Sequence, residues 1–190
     1  MEAIEPIEVQ RDRCHRHLDV LRDLTRIHVE IDPPTRQIGA DEPDWVFRLR
    51  KVCLHALAIT MWEVNADAVH VIAVELRAAY QQMDVVWKCL PDQYRFAEDG
   101  SWWPDHARSG LAAYDHPTML NLELSLDGGG FSDAEDPRSY LQLALWLGQL
   151  GCAYGLALGY LAQVLGAEGD IDSRLGAILT NGIDLPRDRR

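Results

Sequence analysis

Residues 143–161, LALWLGQLGCAYGLALGYL, restrict the fold more than any other part of this chain. The stretch holds four glycines and no charged residue, whereas the other long segments are charged throughout. The apolar run that contains it, about 25 residues, is long enough to cross a bilayer. Gln142, Gln149 and Gln163 interrupt it, however, and it lacks the basic flanks and uniform aliphatic content of a membrane span. Placed at about 100° per residue, Ala144, Gly148, Gly151, Cys152, Gly155, Gly159 and Ala162 fall within an arc of about 100°. They form one smooth stripe of minimal side chains, and Leu143, Trp146, Leu147, Leu150, Leu158 and Leu161 occupy most of the rest. A glycine inside a helix costs about 0.5–1 kcal/mol relative to alanine, so four of them require compensation from close packing. The pattern predicts a buried helix from about Arg138 to Leu165, with Ala144, Gly148, Gly151, Gly155 and Gly159 as packing or interface positions. Their partner is another helix of the chain or the same stripe on a second copy.

Three further helices follow from periodicity. Ile7, Cys14, Leu18, Leu21, Leu24 and Ile27 recur at helical spacing before the double proline of IDPPTRQIGADEP stops the first helix near Val29. A second helix is expected from about Asp44 to Trp62, apolar nearly all round after Val52. The third runs from about Ala66 to Leu90, with Asn65 or Asp67 as its cap and an apolar face of Val69, Ile72, Ala73, Leu76, Tyr80, Met83 and Trp87. A short final segment containing RLGAIL is capped by Asp172 or Ser173 and ended by Asn181-Gly182.

Pro91 ends the third helix, and the chain changes character until Pro137. Turn signals cluster here, LNLELSL (120–126) alternates like a strand or extended segment, and ten Asp and Glu stand against two Arg between Asp92 and Asp136. The fold expected is therefore all-α: one domain over 1–190, an up-and-down bundle of four long helices with an irregular acidic insertion at about 91–137.

Composition narrows the function. Lys and Arg number 18 against 30 Asp and Glu, a formal charge of −12, so broad binding to nucleic-acid phosphates is not expected. The N-terminus lacks the basic and apolar regions of a secretory signal. Cys14, Cys53, Cys89 and Cys152 are widely spaced without a CxxC pair, which suggests buried reduced thiols and a cytoplasmic protein with no membrane span.

Motifs with chemical content are few. RLRKVCLHAL places Arg50 and His55 at an R-x4-H spacing that resembles the signature of HEPN-type ribonucleases. The resemblance covers six residues and implies an all-α dimer cutting RNA with Arg50 and His55 as catalytic residues. Lys51 stands where that family usually has a small polar residue, and the motif generally lies later in its helical domain. Residues five apart on a straight helix point about 140° from each other, and the non-catalytic alternative has Arg50 lying along Phe47 and Leu54, with His55 on the opposite flank beside Arg48 and Lys51. Glu63, Asp67 and His70 have a spacing used by metal-binding helical bundles, but no second Glu-x-x-His pair accompanies them, so solvated polar surface is the favoured reading and no metal is assigned. His17 and His28 share a face with Leu21 and Leu24 at a core edge. LDGGGFSDAED lacks the Lys-Ser/Thr of a phosphate loop and the carboxylate spacing of a calcium loop.

The leading expectation is a non-catalytic binding or assembly protein without a cofactor, homo-oligomeric or docked on a protein partner. It would use the glycine-faced helix and the acidic insertion, whose Trp102 and Trp103 serve as aromatic anchors. A ribonuclease using Arg50 and His55 is the alternative, and a helical metal protein the third.

Overall fold

The structure is a computed structural model that describes residues 5–91, 137–167 and 169–184, the side chains of residues 137 and 138 excepted. Among these residues it is all-helical, with five helices and no strand: α1 (Ile7–Ile31), α2 (Asp44–Thr60), α3 (Val69–Cys89), α4 (Pro137–Leu165) and α5 (Ile171–Gly182). The expected insertion, including the alternating segment 120–126 and Trp102 and Trp103, lies outside the described residues.

The helix ends follow local chemistry. Pro6 and Pro43 immediately precede α1 and α2, and Pro137 occupies the first position of α4, where a missing N–H costs nothing. The Asn65 side chain accepts the backbone N–H of Asp67 at 3.1 Å and of Ala68 at 3.0 Å, although regular helix begins only at Val69. α4 ends in a turn closed by Ala167 N–H to the Ala162 carbonyl at 2.9 Å and Gly166 N–H to Gln163 at 3.2 Å. Gly166, at φ 62°, supplies the left-handed residue this turn requires. The final segment forms α5, 12 residues that end at Gly182, where Asn181-Gly182 signals a stop.

α4 is the core helix. Trp146, Tyr140, Tyr154, Leu143 and the whole run 150–159 are buried, and α4 packs against α1, α2, α3 and α5. Among the described residues it is also the one helix long and apolar enough to cross a membrane, and most of it is covered by the rest of the protein.

The direction of α4 corrects the up-and-down expectation. α2 runs antiparallel to α1, as Arg22 reaches the Thr60 carbonyl while Asp32 meets Arg50. α3 runs antiparallel to α2, as Arg48 meets Gln82 and His55 meets Glu75. α4, however, is parallel to α1: Cys14 lies against Tyr140, His17 against Ala144, Val20 against Gly151 and His28 against Tyr154. Short connections such as 32–43 and 61–68 force antiparallel neighbours, whereas the length of chain between α3 and α4 imposes no such constraint.

Cys14, Cys53 and Cys152 are buried free thiols, but Cys89, at the last turn of α3, is exposed, contrary to the expectation of four buried ones. Burial pushes the thiols of Cys14 and Cys152 up to about 12.

Candidate functional site

The outer face of the α2–α3 hairpin carries the most exposed apolar side chains. On α2, Phe47 and Leu54 are seven residues apart and Met61 follows after seven more, so they share one stripe along the helix and its C-terminal cap. They are 44%, 65% and 85% exposed, and Leu57 and Trp62 widen the stripe. Val74 of α3, 54% exposed, lies on the outward side of the neighbouring helix. The opposite flank of α2 supplies the reason: Val46, Leu49, Val52, Cys53, Ala56 and Ile59 already fill the core, and α2, apolar nearly all round after Val52, has apolar side chains left for its outer face.

Charges around this stripe are balanced. Arg48 pairs with Asp44 at 3.0 Å, His55 Nδ1 lies 2.8 Å from Glu75, and Lys51 Nζ sits 4.8 Å from the centre of the Phe47 ring. In a chain of charge −12, the middle of this face is therefore locally near neutral.

Arg50 and His55 are held by different partners. His55 faces α3 through Glu75, on the flank it shares with Arg48 as expected. Arg50 turns the other way, along the side of Val46 and Cys53, and forms a two-pronged bond to Asp32: Nε to Oδ2 at 2.7 Å and Nη2 to Oδ1 at 2.6 Å. Nη2 also donates to the Arg36 carbonyl at 2.9 Å. Arg36 Nε donates to Asp32 at 2.6 Å and its Nη2 lies 2.6 Å from Glu42. Asp32 is thus the hub of a clasp that fastens the α1–α2 connection to α2. Burial pushes its carboxyl upward, but the bonds from Arg50 and Arg36, with His28 3.7 Å away, outweigh this and hold it well below the carboxylate range.

The two buried histidines of α1 face α4 in opposite electrostatic settings. His17 Nδ1 lies 2.6 Å from the Ala144 carbonyl, and its Nε2 accepts the Asp184 N–H at 3.0 Å. Burial lowers its pKa to about 4. His28 Nδ1 lies 2.6 Å from the Tyr154 hydroxyl, and its Nε2 is 3.7 Å from Asp32. Burial lowers the His28 pKa as well, but Asp32 and Cys53 beside it outweigh that and leave it raised.

The small-residue stripe is buried over Ala144, Gly148, Gly151, Gly155 and Gly159. At Gly151 the neighbours belong to the same chain: an added Cβ would lie 3.1 Å from Ile183 Cδ1 and 3.3 Å from Val20 Cγ1. α1 and the segment after α5 therefore occupy this part of the stripe. Glu63, Asp67 and His70 are exposed at the α2–α3 connection, and among the described residues no three His, Cys, Asp or Glu side chains are grouped to hold a metal.

Sequence reasoning missed Asp32, Arg36 and Glu42 as partners of Arg50. One signal was present: Arg50 shares a helical flank with the core residues Val46 and Cys53, a position where a guanidinium needs a counter-charge. No protein-family model matches the chain, and neither curated proteins nor solved structures provide a match.

Proposed function

We propose that this chain is a non-catalytic assembly protein that pairs with a second copy of itself through the outer face of α2 and α3. The observation that carries the reading is the exposed stripe of Phe47, Leu54 and Met61, widened by Leu57, Trp62 and Val74. Contiguous exposed apolar surface of this kind marks interaction sites on monomeric folds. A copy of the same chain is the occupant favoured here for two reasons. The stripe is symmetric about Leu54, so an antiparallel copy sets Leu54 against Leu54 and Phe47 against Met61, as a two-fold interface requires. The charges around it also balance within the chain, Arg48 against Asp44 and Lys51 offsetting Glu75, so two such faces meet without the repulsion that a net charge of −12 would otherwise impose.

In this reading the four long helices form the body of the bundle. The acidic insertion with Trp102 and Trp103 is a second contact for a protein partner, and the thiols stay reduced in the cytoplasm. The small-residue stripe of α4 serves internal packing at Gly151 rather than docking. The catalytic alternative gains no support from Arg50 and His55, whose side chains are engaged by Asp32 and Glu75.

Sedimentation equilibrium of the full chain tests the proposal, with Leu54→Glu as the variant. Leu54 is 65% exposed, so the substitution leaves the fold intact by circular dichroism. The expected result is a wild-type dimer and a monomeric variant. A wild-type chain that stays monomeric at about 100 μM, weaker than a typical specific pair, refutes self-association. A dimer indifferent to Leu54→Glu refutes the assigned face.

A further inference from the structure

The segment that leaves α5 is fixed to the bundle by an imidazole that must be neutral. Gly182 lies so close to α1 that an added Cβ would meet Val20 Cγ2 at 2.1 Å, Ile183 rests over Gly151 of α4, and Asp184 then crosses α1. The Asp184 carboxylate accepts bonds from Arg13 Nε at 3.1 Å and Arg16 Nη2 at 3.0 Å, and its backbone N–H donates to His17 Nε2 at 3.0 Å. The other ring nitrogen of His17 faces a carbonyl, that of Ala144, at 2.6 Å. A carbonyl only accepts and a backbone N–H only donates, so His17 carries its proton on Nδ1 and leaves Nε2 bare. A second proton would set two N–H groups against each other in a buried site.

We infer that His17 is a proton-operated latch for the C-terminal segment: the neutral ring holds Ile183 and Asp184 across α1 and α4, and protonation at Nε2 releases them and removes Ile183 from Gly151, where Val20 stays. Among the described residues, the charged groups facing the ring are Arg13 and Arg16 on α1 and Asp184 on the segment itself. α4 contributes only the neutral Ala144 carbonyl there, because it carries no charged residue after Arg138. The arginines oppose a further positive charge, and Asp184 is already committed to them. Its carboxyl, raised by burial but lowered further by Arg13 and Arg16, stays ionised while the histidine titrates. The latch therefore opens on the histidine alone. Neutral His17 is favoured only while the segment is docked, so docking is complete above the ordinary histidine value of 6.5 and weakens as the pH falls toward 4. Linkage between those two values gives a docking constant about 30-fold smaller at pH 5 than at pH 8.

Amide hydrogen exchange of the full chain at pH 8, 6 and 5, corrected for intrinsic rates, tests this. The Asp184 amide is expected to lose about 30-fold in protection between pH 8 and pH 5, while the Leu76 amide in the core of α3 keeps its own. In His17→Gln, whose amide retains a donor for Ala144 and an acceptor for Asp184 without titrating, Asp184 protection is expected to be flat. Constant protection in the wild type, or an equal loss in the variant, overturns the latch. If His17→Gln does not fold, the wild type decides alone: equal losses at Asp184 and Leu76 mean global loosening and overturn it.

Discussion

Replacing Asp32 by Ala removes the hub of the clasp between the α1–α2 connection and α2, and the structure sets the size of the effect. The Asp32 side chain is fully buried, and it receives two bonds from Arg50 and one from Arg36, all between 2.6 and 2.7 Å. Breaking a buried pair by deleting one partner costs about 3–5 kcal/mol, because a charge is left uncompensated. Arg50 and Arg36 keep 22% and 28% exposure and can turn partly into water, which places the loss at the lower end, about 3 kcal/mol. For a chain of this size that is a fall in Tm of about 6–12 °C, measurable by thermal melts followed by circular dichroism.

Two companion variants separate charge from packing. Asp32→Asn keeps the shape and one acceptor and should lose somewhat less than Asp32→Ala. Arg50→Lys keeps the charge but not the two-pronged fork, and should fall between wild type and Asp32→Ala. The pH dependence has a defined sign. Because the folded carboxyl is held below its unfolded value of 3.8, its contribution is complete above that value and is lost as the pH falls beneath it. The gap between wild type and Asp32→Asn should therefore narrow by about 1 kcal/mol between pH 5 and pH 3. A Tm for Asp32→Ala within about 2 °C of wild type, an effect below about 1 kcal/mol, would refute the assignment of Asp32 as the hub.

Three other predictions follow from close contacts and exposure. Gly182→Ala should destabilise the fold by about 1–3 kcal/mol, because its Cβ would meet a stiff β-branched side chain at 2.1 Å; chemical denaturation should show partial recovery when Val20→Ala is added. Gly151→Leu should be worse than Gly151→Ala by the same assay, since Ile183 and Val20 already lie within 3.3 Å of the added Cβ. In thiol titration of the native chain with a disulfide reagent, Cys89 should react first, whereas Cys14 and Cys152, with thiols pushed up to about 12, should react only on unfolding.

Much of the secondary structure was legible in the residues. The apolar repeats of α1 and α3, the prolines at 33–34, 43, 91 and 137, and Asn65 before α3 placed those helices to within a few residues, because each signal acts within one turn or two of its own position. The stripe of small residues likewise announced a buried helix with one smooth face, and α4 is buried along that face. That α2 is apolar nearly all round after Val52 was visible too, but which half would face water was not. That depended on where α3 and α1 settled, and it left Phe47, Leu54 and Met61 outside.

Only the tertiary structure decided the rest, and the reason is distance along the chain. The parallel course of α4 along α1 is set by contacts between the two helices, which no local period records. The occupants of the small-residue stripe at Gly151, Val20 and Ile183, come from opposite ends of the sequence. Asp32 and Arg50 meet because a double-proline turn brings α2 back along α1. The two histidines of α1 make the point at its sharpest. They share one helix face, yet His17 meets a carbonyl and a backbone N–H that keep it neutral, while His28 meets the Asp32 carboxylate that favours its charge. The sequence by itself determined that both rings would lie on the buried side of α1; the partners that set their protonation come from α4, the α1–α2 turn and the segment after α5. A repeat of 3.6 residues fixes which way a side chain points, but the charge it carries is fixed by what has folded against it.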